Sequence, residues 1–138
     1  MFIDVFIKEP TKRTPWIKLE PGKIMIMGRS IPDSPGEFFT PVLNWITEYI
    51  RNYGGNTNVE LGFEYLNTSS AKWIYLIIKT LAERENITFN TAITWYYEEG
   101  DDDMSELGHM LRSIVECPFD IIEVEEMNPR FVIFFSVS

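Results

Sequence analysis

The chain has 138 residues, and because domains cluster at roughly 100–150 residues this length points to one domain. Twelve lysines and arginines against twenty-one acids leave a net charge of −9, which offers no basic field to nucleic-acid phosphates or anionic membrane surfaces. Hydrophobic residues at 45% and aromatics at 14% exclude a disordered chain and provide for a packed core.

The N-terminus, Met1 to Ile7, lacks a basic region and a small-residue cleavage site, and Asp4 interrupts its apolar run. It does not read as a signal peptide but as a candidate extra strand. No apolar run approaches the roughly 20 residues that a membrane helix needs. Cys117 is the only cysteine, so no internal disulfide forms, and a reducing, cytoplasmic setting is expected. Trp16 to Glu20 and Lys23 to Met27 are joined by Pro21-Gly22, which suits a type II turn, so the spacing predicts a hairpin.

Ser34-Pro35-Gly36-Glu37 reads as a helix start, with Ser34 as cap and Glu37 closing a capping box. Phe38, Phe39, Val42, Leu43, Trp45, Ile46, Tyr49 and Ile50 succeed it in helical spacing, and Gly54-Gly55 ends the run. Pro41 predicts a kink there, or a fresh start with Thr40 as cap. Asn58 to Leu66 alternates as a strand through Val59, Leu61, Phe63 and Tyr65. Ala71 to Arg84 is a helix whose apolar residues, Leu76 included, cover so much of its circumference that it should be largely buried.

Ile87 to Tyr97 alternates as another strand. Met104, Leu107, Leu111 and Ile114 mark a third helix, with Asp101 to Asp103 at its favourable N-terminal end. Phe119 to Val124 is a further strand, and Arg130 to Val137 a candidate for one more. The order β-β-α-β-α-β-α-β predicts a single-domain α/β sandwich: a mixed β-sheet, an N-terminal β-hairpin entering antiparallel, and βαβ units running parallel.

Chemistry concentrates in Leu61 to Lys72, where a strand runs into Asn67-Thr68-Ser69-Ser70 and straight onto an apolar helix. Hydroxyls there sit where backbone N–H groups lack partners and the helix dipole is positive. Two readings stay open from the residues alone. Either the hydroxyls cap the helix, or one of them accepts a phosphate that adds charge without unfolding the domain and changes what docks over it. The run Asp101, Asp102, Asp103, Ser105, Glu106 and His109 fails the spacing of a calcium loop, and its acids suit a helix N-terminus, so no metal and no cofactor are expected. His109 and Cys117 have no spacing that makes a nucleophilic dyad.

Four blocks carry a family resemblance: Thr14-Pro15; Gly28-Arg29-Ser30-Ile31-Pro32 with Phe39, Pro41 and Trp45; Tyr65 to Ser70 with Lys72; and Trp95-Tyr96-Tyr97-Glu98 with Asp101, Asp103, Met104, Glu106 and Gly108 after it. On these the chain resembles the SiaC family of bacterial regulatory phosphoproteins, with a core of about 14–124 and extensions at 1–13 and 125–138. Asp33 stands where the family usually has Glu, and the tail from Glu125 has no counterpart.

The resemblance implies a fold like the STAS domains of anti-sigma-factor antagonists. It also implies a phosphoacceptor at Thr68, with Ser69 and Ser70 as fallback sites and otherwise as permanent caps. A serine/threonine kinase would phosphorylate Thr68 and a PP2C-type phosphatase would reverse it. The unphosphorylated form would bind and activate a diguanylate cyclase, raising cyclic-di-GMP and favouring biofilm. The expected partner interface gathers Arg29, Ser30, Asn67, Thr68, Ser69, Lys72, Tyr97, Glu98, Asp101 and Asp103, because loops at the same strand ends share a rim. Competing readings are a constitutive adaptor and a small-molecule enzyme using the acidic 98–106 loop. Residues 1–97 carry ten acids and ten bases, so the whole net charge lies after Tyr97.

Overall fold

The computed structural model describes residues 3–83 and 90–127. Its elements are β1 (Phe6–Lys8), β2 (Trp16–Glu20), β3 (Lys23–Ser30), α1 (Pro35–Asn52), β4 (Thr57–Leu66), α2 (Thr68–Ala82), β5 (Thr91–Glu98), α3 (Asp102–Ser113) and β6 (Phe119–Val124). The expected strand from Ile87 begins, within the described residues, at Thr91. Residues 87–89, Arg84 at the end of the expected second helix, and the expected strand 130–137 lie outside the described residues.

The six strands lie in chain order, β1-β2-β3-β4-β5-β6. The β1–β2 and β2–β3 pairs are antiparallel, and the β3–β4, β4–β5 and β5–β6 pairs are parallel. The hairpin turns at Gly22 with φ +87°, as a type II turn demands. Among the described residues of the N-terminal segment, Phe6–Lys8 pairs as a strand.

Each parallel connection carries one helix, and all three helices pack on the same sheet face. That core joins Ile17, Ile24, Leu61 and Trp95 of the sheet to Phe39 and Ile46 of α1, Ile74 and Ile78 of α2 and Leu111 of α3. α1 runs through Pro41 without a fresh start at Thr40. Pro41 is exposed, so the carbonyl that loses its N–H partner there can bond water instead. Ser34 makes no side-chain cap; only its carbonyl is used, by the Phe38 N–H at 3.0 Å. α2 is buried along Ile74, Ile77, Ile78 and Leu81, while Tyr75 and Leu76 are exposed, which corrects the expectation of burial all round.

One irregularity re-phases the functional end of the sheet. The β3–β4 register pairs Gly28 with Phe63 but Arg29 with Tyr65, leaving Glu64 as an extra residue in β4. The bulge reverses the alternation expected through Tyr65: Tyr65 is turned out to solvent and Leu66 is buried. Gly28 has φ +128°, a conformation that side chains rarely adopt, and Pro15 packs beside it.

Trp95 fixes α3 on the sheet. Its indole N–H donates to the Met104 carbonyl at 2.9 Å, and its ring lies where a Cβ on Gly108 would come within 2.5 Å. We expect Gly108→Ala to lower stability by about 1–3 kcal/mol, because the clash outweighs the better helix propensity of alanine. Urea melts of the two proteins measure it, and a stabilised variant would refute this packing account.

Candidate functional site

β3, β4 and β5 all end at one edge of the parallel sheet, and the loops from these ends lead into α1, α2 and α3. The Asn67 turn, the 31–34 loop and the 99–101 loop therefore lie on one rim, as the topology required.

At the centre of this rim the residues of the turn have separate roles. Asn67 is the cap of α2, and its side-chain oxygen accepts the Ser70 N–H at 2.9 Å. Its own N–H donates to the Ser30 carbonyl at 3.2 Å. The Ser30 hydroxyl donates to the Ser70 hydroxyl at 2.9 Å, and both serines are fully buried. These bonds tie the start of α2 to the end of β3, with Ser30 opposite Leu66 in the re-phased register.

Thr68, the first residue of α2, is left exposed beside this clamp, and its hydroxyl has no hydrogen-bond partner among the described residues. Ser69 is exposed as well. Two expectations are corrected. The cap is Asn67 rather than Ser69 or Ser70, and Ser70 is fully buried. Ser30 belongs to the buried clamp and not to a surface. We expect Asn67→Ala to cost about 1 kcal/mol as a lost cap and Thr68→Ala much less; equal losses in thermal melts would contradict the division of roles.

Thr68, Ala71 and Lys72 form one end of a groove between α2 and α3, closed along its length by Tyr75, Leu107, Met110, Leu111 and Ile114, with a volume of about 240 Å³. Met110 is 59% exposed and Ile114 51%. Sequence reasoning missed this groove, although Tyr75, Met110 and Ile114 are apolar residues at helical spacing on two neighbouring helices.

Other expected interface residues are engaged inside the fold. The Asp101 side chain caps α3 by accepting the Met104 N–H at 3.1 Å. Glu98 accepts the Met127 N–H at 2.7 Å, and Tyr97 is half-buried. Asp103 and Lys72 are exposed. Arg29 pairs with Glu64 at 3.2 Å, donates to the Lys12 carbonyl and lies 5.9 Å over the exposed Tyr65 ring. Tyr65 is a rim residue that the strand alternation had assigned to the core.

Burial raises the Cys117 thiol above its ordinary value, keeping it protonated rather than nucleophilic. His109 faces Arg112, with 3.1 Å between Nδ1 and the guanidinium. Among the described residues no group of three or more His, Cys, Asp or Glu side chains gathers to hold a metal ion, and no helix is long and apolar enough to cross a membrane. A larger cleft of about 430 Å³ between α1 and residues 3–6 includes none of the candidate residues.

Residues 8–124 match the family model described as SiaC family regulatory phosphoprotein. An uncharacterised protein of Pseudomonas aeruginosa strain UCBPP-PA14 is 27% identical over 113 residues, covering 80% of this chain and 90% of that protein. SiaC of Pseudomonas aeruginosa superposes with a TM-score of 0.79 at 25% identity, over 87% of this chain and 98% of that one. A second similar structure is the crystal structure of the diguanylate cyclase SiaD in complex with its activator SiaC, also from Pseudomonas aeruginosa. It has a TM-score of 0.78 at 26% identity, over 86% of this chain and 98% of that one.

Proposed function

The chain belongs to the SiaC family of regulatory phosphoproteins, and from that premise we propose that it is a non-catalytic partner switch controlled at Thr68. Unphosphorylated, it binds and activates a diguanylate cyclase, as SiaC of Pseudomonas aeruginosa is the activator of SiaD. Phosphorylated, it releases that partner. The observation that carries this reading is the position of Thr68: an exposed hydroxyl, without a hydrogen-bond partner among the described residues, at the N-terminus of α2 and at one end of an apolar groove.

A phosphate adds about −1.5 to −2 charges and three acceptor oxygens. At the first turn of a helix the dipole and the unpaired N–H groups favour that anion, so the fold survives modification. A partner covering the groove, by contrast, would have to enclose a hydrated dianion against Ala71, Tyr75 and Met110, which is costly without a matching cation. Thr68 needs no activated pKa, because the kinase supplies the base that takes its proton. The kinase is of the serine/threonine class and the phosphatase of the PP2C type. All act in the cytoplasm, where the output is cyclic-di-GMP and biofilm control.

The interface is narrower than the sequence suggested. It centres on Thr68, Ser69, Lys72 and the groove, with Arg29, Tyr65 and Asp103 on its margin. Phosphopeptide mass spectrometry of the protein from its native cells is expected to place one phosphate on Thr68. Finding Thr68, Ser69 and Ser70 unmodified under every growth condition would refute the switch and leave a constitutive adaptor.

A further inference from the structure

The two edges of the six-stranded sheet are unlike. β6 carries Asp120 and Glu123 and belongs to the part of the chain that holds the whole net charge, so a second acidic strand beside it would be repelled. β1, at the far edge, lies in the part whose acids and bases balance. Among the described residues no strand pairs with its outer side, where every second backbone N–H and C=O points away from β2. Val5 and Ile7, at 51% and 55% exposure, add two large apolar side chains to this edge.

The edge is also held in shape. The Trp45 indole N–H donates to the Asp4 carbonyl at 2.7 Å, Phe6 packs against the helical-side core, and the Lys8 ammonium stands 5.2 Å over the Phe38 ring. Both ends of the strand are thus fastened to α1, so docking pays little for ordering it. By alternation Asp4, Phe6 and Lys8 share the helical side, and Val5 and Ile7 share the other. The family match begins at residue 8, so residues 4–7 stand outside the pattern that the family shares.

We propose that β1 pairs antiparallel with β1 of a second copy, about a two-fold axis at Phe6, joining two six-stranded sheets into one. The run Asp4-Val5-Phe6-Ile7-Lys8 is self-complementary in that register. Phe6 faces Phe6 of the second copy, Val5 faces Ile7 in both directions, and each Asp4 faces a Lys8. Opposite charges and apolar pairs directly across an antiparallel ladder are the favourable ones. An axis at Ile7 would set Lys8 against Phe6, and an axis between the two residues would set Asp4 against Glu9. The cleft between α1 and residues 3–6, lined by Asp4, Phe6 and Trp45, leaves space on the helical side for Lys8 of the second copy. The α2–α3 groove lies toward the β6 edge, where α3 packs on β5 and β6. It stays open in this arrangement, so one dimer carries two Thr68 sites.

Sedimentation velocity of the full-length chain over a range of concentrations tests this. The wild type is expected to pass from monomer to dimer as concentration rises, and a monomer throughout, up to about 1 mM, would overturn the proposal. Asp4→Lys alone and Lys8→Asp alone each oppose like charges twice across the axis. Each is expected to raise the dissociation constant at least about tenfold. An equimolar mixture of the two variants restores both attractions and is expected to recover the wild-type constant to within about threefold. Both positions are exposed, and circular dichroism with thermal melts checks that the variants fold. Dimers indifferent to the single changes, or a mixture that associates no better than either variant alone, would contradict this pairing. Should either variant not fold, Ile7→Arg in the otherwise native chain is expected to weaken association at least about tenfold by setting charge against Val5. Wild-type association of that variant would overturn the proposal equally.

Discussion

Trp95→Ala is expected to destabilise the protein by about 3–5 kcal/mol, the range for removing a large aromatic from a core. Trp95 is fully buried, lies 5.7 Å from the Phe63 ring, and reaches the Met104 carbonyl through its indole N–H. Gly108 lets α3 approach the ring closely, so the substitution leaves a void directly beneath α3. Since α3 forms one wall of the groove, the loss should appear twice. Chemical denaturation would report the stability change, and hydrogen exchange would report faster opening of α3 than of α2. A loss below about 1 kcal/mol would mean that the indole is not what holds α3.

Met110→Glu combined with Ile114→Lys should have the opposite profile. Both side chains are exposed in the isolated protein, and a lysine at position 114, the C-cap of α3, suits the negative end of the helix dipole. Stability should therefore stay within about 0.5 kcal/mol of the wild type. Binding to a diguanylate cyclase should weaken by at least about 30-fold, which corresponds to roughly 2 kcal/mol. The two charges would otherwise be enclosed against Tyr75, Leu107 and the partner. Calorimetry of the variant with the cyclase decides it, and an unchanged affinity would move the interface away from the groove.

Most of the architecture could be read from local pattern. Alternation marked the central strands, helical spacing marked α1 to α3, and Pro21-Gly22 marked the hairpin. The failures share a cause: they depend on contacts between segments distant in sequence. Tyr65 reads as a core residue until the bulge against β3 re-phases β4 and turns Leu66 inward instead. Ser70 reads as a helix cap until Ser30, forty residues earlier, is found bonded to it. Asp101 and Glu98 were expected at the partner interface, although the Met104 N–H and the Met127 N–H engage them within the fold. The groove was invisible for the same reason, since neither α2 nor α3 alone contains it. The polar strand-to-helix turn from Asn67 to Ser70 was legible as a local feature, whereas Thr68 was singled out within it only by the family resemblance.

The central claim is that phosphate on Thr68 decides whether the partner binds. The direct measurement is a titration of a diguanylate cyclase with the full-length protein, unmodified and phosphorylated at Thr68, reading both affinity and cyclic-di-GMP synthesis. The unmodified protein is expected to bind and raise synthesis. The phosphorylated protein, with an unchanged melting profile, is expected to bind at least about 30-fold more weakly and leave synthesis at its basal rate. Equal affinity and equal activation by the two forms would contradict the account.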